Sequence, residues 1–538
     1  MAMAAGSEKY DLIVIGAGIN GAGIFREATT RGLKTLLLEK DDLGGATTST
    51  SSRLIHGGLR YLEHYEFALV RESLRERERL LHAAPHLVSP LPLTLPVYKG
   101  HSRGPFMIGL GMIAYDVLSY DKSLPTARMY SKAEALRQEP GLEPEGLRAA
   151  ARYYDAQVIY PERLVVENVV DGVSYGGEVR LHTRVTGFQM EAGVVRGVEF
   201  VNEQDGTTGV ARADVTINVA GPWIDRVLDL AGDFPRYNGG TKGSHIVVEP
   251  FPGAPKDALY IEARQDGRPY FIIPWNDLYM IGTTDIRFEG DLDRIVASED
   301  EIAYLLKETN LAIPDAKLTR EDVLYTWAGV RPLPYKPEGS TGAITRKHII
   351  KDHSPKVEGL LSIIGGKLTT YRSLSEEAVD DIQRKLGRKP TASKTRKLRL
   401  PGGSGDFRRT AAELKHSAPE WLSPESADWL LKVYGLRARD VMRLAYEEPR
   451  LRERIVPSHP AIAAVVPFSF RHEFTTTLAD LMLRRTMLAL EKDAGLETVK
   501  AVSQIAAETQ GWDEERRLRE VERFRWEIAK QLPRGMTE

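Results

Sequence analysis

Four short stretches of the chain concentrate residues able to hold phosphate groups or carry protons. The first is Gly16-Ala17-Gly18-Ile19-Asn20-Gly21. Gly16 permits a tight turn, Gly18 lets the backbone approach a pyrophosphate, and Gly21 lets a following helix pack closely on the preceding strand. The N-terminus of that helix presents unpaired N–H groups and a positive dipole end to phosphate oxygens. Glu39 follows at the distance from which an acid accepts hydrogen bonds from ribose hydroxyls. Strand, glycines, helix and acid in this order read as a dinucleotide site, without separating a flavin from a nicotinamide nucleotide.

The second stretch is a run of six hydroxyls, Thr47, Thr48, Ser49, Thr50, Ser51 and Ser52. Each carries an O–H suited to phosphate oxygens. The third, His56 to Tyr61 (HGGLRY), sets an imidazole, two glycines, the Arg60 guanidinium and the Tyr61 phenol side by side. Gly57-Gly58 would permit close approach of a flat ring. The fourth is Gly365-Gly366-Lys367, read as the start of a helix whose positive end, with the Lys367 ammonium, stabilises negative charge. His245 (KGSH), Arg331 (GVRP) and Arg346 (AITR) stand alone in sequence. Singly, a histidine fits a structural role and an arginine a surface ion pair. Together the arginines would clamp a phosphate bidentately, and either His56 or His245 would accept a proton near neutral pH.

These residues need elements to position them. Residues 10–15 read as a buried strand, Ala22 to Arg31 as a helix ended by Gly32, and Lys34–Leu38 as a second strand. A charged helix is expected at Glu66–Ala84, another at Arg163–Tyr175, and strands at Glu178–Val185, Val215–Ala220 and Gly359–Ile364. Tyr270–Trp275 and Leu278–Thr284 flank Asn276-Asp277, a hairpin signature. Pro401–Gly405 reads as a flexible connector, and the chain from about Thr410 to Lys530 is nearly all helix. The expected architecture is α/β: a Rossmann-like dinucleotide domain over 1–394, an inserted antiparallel β-sheet substrate domain (about 66–160 and 230–355), and a helical C-terminal domain over 395–538.

Composition excludes several classes. The chain has 538 residues, 42% hydrophobic and 28% charged, enough for a large core. It has no cysteine, which removes disulfides, iron–sulfur clusters and thiolate catalysis. His82 and His86 are four apart, but Pro85 breaks any helix that would align them, so no metal site is expected. Net charge is −2, and residues 395–538 carry only +3, arguing against nucleic acid. Phe106–Ala114 is the most apolar run, far short of the roughly 20 residues of a spanning helix. It fits equally a core segment or, beside Lys99, His101 and Arg103, a membrane-interface segment. Neither a nucleophile elbow nor a Walker loop is present.

Taken together, these segments resemble the FAD-dependent glycerol-3-phosphate dehydrogenase family. The resemblance rests on DLIVIGAGINGAGIFREATTRGLKTLLLEKDDLGGATTSTSSRLIHGGLRYLEHYEF, then INVAGPW, TKGSHIVV, IIPWNDLYMIGTTD, WAGVRPL, AITR and IGGKLTTYRSL, covering about residues 10–375. It implies that the cofactor is FAD, that sn-glycerol 3-phosphate is oxidised to dihydroxyacetone phosphate, and that electrons pass to a membrane quinone. It further implies a homodimer attached peripherally to the inner face of the cytoplasmic membrane. Active-site positions carried over are His56, Arg60, Tyr61, His245, Arg331, Arg346 and Lys367. To the cofactor residues already named it adds Arg53, Leu54, Val185, Ala220, Gly221, Leu368 and Thr369. The alternatives are an oxidase that passes electrons to oxygen, an amine or amino-acid oxidase of the same fold, and a flavoprotein serving as a binding module.

Overall fold

The computed structural model describes residues 9–59, 62, 65–338 and 344–531. One sheet has the order Ile349–Asp352, Leu360–Ile364, Thr208–Asn218, Lys9–Ile15, Thr35–Leu38, Glu178–Arg180. From Leu360–Ile364 through Glu178–Arg180 every neighbour runs parallel. Parallel strands are covered on both faces, so their sequences are apolar throughout; Leu12, Ile13 and Val14 are completely buried. Helices Ile19–Thr30, Pro161–Ser174 and Tyr371–Lys385 share one core with this sheet, through Phe25, Val165 and Leu374 among others. Gly32 follows the first helix at φ +83°, the left-handed conformation that ends helices.

Glu178–Val185 is not one strand. His182 adopts φ +49° and divides it into Glu178–Arg180, beside Thr35–Leu38, and Thr183–Glu191, in an antiparallel meander. The His182 and Thr183 amides donate to the Asp41 and Glu39 carbonyls (2.8 and 2.7 Å), turning the chain around the loop behind Glu39.

The second sheet has ten strands, with Thr241–Val248 paired on one side to Leu278–Gly282 and on the other to Val323–Arg331. All its pairings are antiparallel except Ala258–Glu262 with Val88–Tyr98. The hairpin forms at Asn276-Asp277, both at positive φ (52° and 60°), as a type I′ turn requires. Ile349–Asp352 pairs in the first sheet, so the last strand of the second ends at Arg331.

The C-terminal part is helical from Phe407–His416 to Glu514–Ala529. The Pro401–Gly405 segment does not behave as a flexible connector. Gly402 and Gly403 are buried, and the Gly402 amide donates to Glu167 (3.0 Å), because the turn is packed between the two parts. Buried ion pairs lock the join. Arg163 donates twice to Glu473 (2.6 and 2.7 Å), and Asp42 accepts from Arg484 and Arg485. The apolar run forms helix Pro105–Leu118, which buries Ile108, Met112 and Tyr115 and leaves Phe106, Met107, Leu110, Ile113 and Val117 in solvent. It is therefore only half a core segment.

Candidate active site

A cavity of about 470 Å³ opens at the carboxyl ends of the parallel strands, where open α/β sheets bind ligands. Of the predicted cofactor residues, Gly16, Gly18, Glu39, Thr47, Thr48, Val185, Ala220, Gly221, Lys367 and Leu368 line it. Gly16 (φ +103°) makes the turn, and Gly18 is the N-cap of the first helix. Gly21 is one turn back, where an added Cβ would stand 1.8 Å from the Gly16 carbonyl oxygen. Glu39 accepts from the Ala17 and Asp41 amides (2.6 and 2.9 Å). Burial, reinforced by the Asp41 charge, pushes its carboxyl up to about 7, against the pull of those two amides.

The hydroxyl run divides. Thr47 donates to the Val330 carbonyl (2.7 Å), and Ser49 and Thr50 donate to Ala46 (3.0 and 3.3 Å). Each hydroxyl has one proton, so these three are spent on holding the loop. Thr48 instead accepts from the Ile19 amide at the helix N-terminus (3.1 Å), and its own proton has no acceptor among the described residues. Ser52 binds His245 Nε2 (2.8 Å) and lies outside the cavity lining. Arg53 lies outside it too: fully buried at φ +56°, it forks onto Glu162 (2.9 and 3.0 Å) between the rings of Trp275 and Trp327. Leu54 pairs with Gln157 in the second sheet.

A second cluster adjoins the cavity. Lys367 lines it but does not start a helix: Tyr371 does, behind Thr370, one turn later. Burial brings Lys367 down to about 7, against the opposing charges of Glu66 and Glu72, and Arg346 adds to the lowering. Thr369 lies outside the cavity lining and brackets His56, its hydroxyl accepting from the His56 amide (3.1 Å) and donating to the His56 carbonyl (3.3 Å). Burial, with Lys367 adding to it, lowers the His56 imidazole to about 4, against the Asp155 charge. It is neutral at pH 7, and neither ring nitrogen has a hydrogen-bond partner among the described residues. His245, lowered to about 3 by burial and by Arg331 and Arg53, has Nε2 occupied by Ser52 and a buried Nδ1 with no partner among the described residues. Arg331 donates to Thr283 (3.0 Å) and Asp285 (3.2 Å), and Arg346 to the Ile344 carbonyl (2.8 Å). Arg60 and Tyr61 lie outside the described residues. Gly57 packs on Tyr115, whose hydroxyl an added Cβ would meet at 2.4 Å.

Several lining residues escaped the sequence reading. Asn20 points its side chain toward the Gly365 carbonyl (3.4 Å) and keeps a buried Oδ1 with no partner among the described residues. At the rim, Lys40 lies over the Trp223 ring (4.5 Å) and pairs with Asp293 (2.7 Å), which also holds Trp223 and Arg226. Asp293 comes from the loop before Glu299–Ala312, some 250 residues from Lys40, and no local pattern announces such a pair.

Fold and cavity define a dinucleotide-binding oxidoreductase. A profile of the FAD dependent oxidoreductase family matches residues 11–372, and one of the C-terminal domain of alpha-glycerophosphate oxidase matches 393–517. A glycerol-3-phosphate dehydrogenase of Synechocystis is 47% identical over 529 residues, covering 96% of this chain and 95% of that protein. The aerobic glycerol-3-phosphate dehydrogenase of Escherichia coli K12 is 39% identical over 493 residues (89% and 94%). The solved glycerol-3-phosphate dehydrogenase of Bacillus halodurans, complexed with FAD, superposes with a TM-score of 0.81 at 27% identity (98% and 96%). The chain thus belongs to the FAD-dependent glycerol-3-phosphate dehydrogenase family, and its cofactor is FAD.

The residues fit that cofactor: a turn in which Gly16 and Gly18 carry no side chain, an orphaned Asn20 oxygen, an uncommitted Thr48 hydroxyl and a buried acid share one cavity. Because an ionised carboxylate accepts hydroxyl protons better than a neutral one, FAD affinity of the apoprotein is expected to fall below pH 7. The fall between pH 8 and 6 should approach about tenfold, the change in ionised fraction of a group titrating near 7. Flavin fluorescence titrations measure it, and Glu39→Gln should flatten the dependence.

Proposed function

We propose that this chain oxidises sn-glycerol 3-phosphate at its secondary alcohol to dihydroxyacetone phosphate and delivers the electrons to a membrane quinone. One observation carries the reading: Lys367 lines the cavity, and Thr369 two residues later holds the His56 backbone, so cofactor site, base and a cation come together at one turn. Bound FAD supplies the hydride acceptor. His56, neutral and open, takes the hydroxyl proton; His245, tied to Ser52, forms a wall. Arg331 and Arg346 hold the phosphate, which fixes the central carbon over the cofactor. Lys367, poised near neutrality by burial, gains its charge as negative charge arrives beside it. The second sheet serves as substrate domain.

The choice of acceptor rests on the outer face of helix Pro105–Leu118. Phe106 and Val117 are 79% and 65% exposed, and Met107, Leu110 and Ile113 complete one stripe between them. Lys99 and Arg103 precede it. A basic-flanked apolar stripe lies in a bilayer interface. No helix among the described residues is long and apolar enough to cross a membrane. Oxygen is the second reading, because the C-terminal match carries an oxidase description.

Purified holoenzyme should bleach on anaerobic addition of sn-glycerol 3-phosphate and recolour with a short-chain quinone. It should pellet with anionic vesicles, and Ile113→Glu should release it. Bleaching without quinone reoxidation, with peroxide forming in air, moves the acceptor to oxygen. A spectrum indifferent to the substrate ends the proposal.

A further inference from the structure

Bonded to the Gly57 amide, next to His56, is a buried polar group whose members do not line the cofactor cavity. The Gly57 amide donates to the Tyr115 hydroxyl (3.0 Å) and to Asp155 Oδ1 (3.3 Å). The Tyr115 hydroxyl lies 2.8 Å from both Asp155 oxygens, and Arg77 Nη1 donates to the same carboxylate (2.7 Å) and to the Tyr154 carbonyl (3.0 Å). Tyr115, Asp155 and Arg77 are at most 1% exposed. Three different elements supply them: helix Pro105–Leu118, strand Leu147–Val158 and helix Phe67–Ala83.

A buried carboxylate is costly unless it is paired and hydrogen-bonded. Here Arg77 and Tyr115 meet that need, and the carboxylate still accepts from Gly57. Together with the two Thr369 bonds, the His56–Gly57 backbone is fixed from both sides. Among the described residues, the charges acting on the His56 ring are Asp155, which favours its protonated form, and Lys367, which opposes it; the Phe271 ring meets it edge-on at 6.4 Å.

We infer that Asp155, extended by the Tyr115 hydroxyl, is a positioning residue for the reaction: it holds the His56–Gly57 peptide and so keeps a buried negative charge one residue from the histidine that receives the substrate proton. In that step the substrate O–H and C–H bonds break and a C=O bond forms. The hydride leaves with its electron pair to FAD, and the proton goes to a His56 nitrogen. An imidazolium then stands beside the Gly57 amide that Asp155 holds, and the Asp155 charge favours it. The inference rests on His56 as the base.

The test is a double-mutant cycle in the holoenzyme, with flavin content checked by absorbance. Asp155→Asn should lower kcat by about 10- to 100-fold, less than the roughly 10²–10⁴-fold that a positioned base itself supplies, with KM for sn-glycerol 3-phosphate within twofold. Tyr115→Phe, which keeps the Asp155–Arg77 pair and so guards against simple unfolding, should lower kcat several-fold with the same unchanged KM. In a His56→Gln background neither change should cost anything further. If both variants keep kcat within twofold, or their losses multiply with that of His56→Gln, the inference is overturned. If Asp155→Asn loses flavin, Tyr115→Phe decides by the same criteria. A His56→Gln enzyme with near-normal turnover instead removes the base assignment itself.

Discussion

Replacing Gly21 by alanine should leave colourless, poorly folded protein, whereas Gly18→Ala should fold normally and lose only FAD affinity. The two glycines stand three residues apart in one motif, and the structure separates their reasons. A Cβ at Gly21 would lie 1.8 Å from the Gly16 carbonyl oxygen. Both atoms belong to backbone, in the turn and in the helix packed on it, so neither yields by rotating a side chain. Overpacking of this kind costs about 1–3 kcal/mol where neighbours can move, and more where they cannot. At Gly18 the first neighbour of an added Cβ is the Thr48 hydroxyl, at an ordinary 3.6 Å. The apoprotein accommodates it, and the methyl group intrudes only on the cavity. Urea unfolding of apoprotein and flavin fluorescence titration separate the outcomes. Equal stability for the two variants would contradict the steric distinction between them.

The second large effect is expected far from the cofactor in sequence. Arg485→Met should destabilise the protein by about 1–3 kcal/mol, the cost of depriving a buried carboxylate of two charged hydrogen bonds while Arg484 still pairs with it. Asp42 and Arg485 are 1% and 0% exposed and joined by two hydrogen bonds (2.6 and 2.9 Å). Asp42 also lines the FAD cavity, in a loop whose Gly44 amide donates to the Ala17 carbonyl (3.0 Å). Flavin release should therefore accelerate along with the loss of stability. The double variant Asp42→Asn with Arg485→Met should be less destabilised than the sum of the single changes, since each single change already removes the bonds the two side chains share. Denaturant midpoints and flavin release rates check both points. Additive losses would mean that the pair does not act as a unit.

This pair shows a task of the helical C-terminal part that its sequence does not announce. Arg484 and Arg485 look like two ordinary charges on an amphipathic segment. Their role exists only because residues 443 apart in sequence, Asp42 and Arg485, are brought together. The same holds for Asp155, an unremarkable acid in a strand until Gly57, Tyr115 and Arg77 surround it.

The sequence alone determined whatever depends on local spacing. The strand–glycine–helix–strand unit was readable because one turn, one close approach and one packing contact each require a missing side chain at a set offset. The Asn276-Asp277 hairpin was readable because two consecutive left-handed residues select few residue types. The motifs around His56, His245, Arg331 and Lys367 were readable as strings, and with them the family. Only the tertiary structure decided which hydroxyls remain available, since Thr47, Ser49 and Thr50 spend their protons on carbonyls while Thr48 does not. It also decided which histidine is open, whether Pro401–Gly405 is slack or packed, and where the strand after Glu178 breaks. Hydrogen-bond partners, burial and the field at a titrating group come from residues remote in the chain, and no local pattern encodes them.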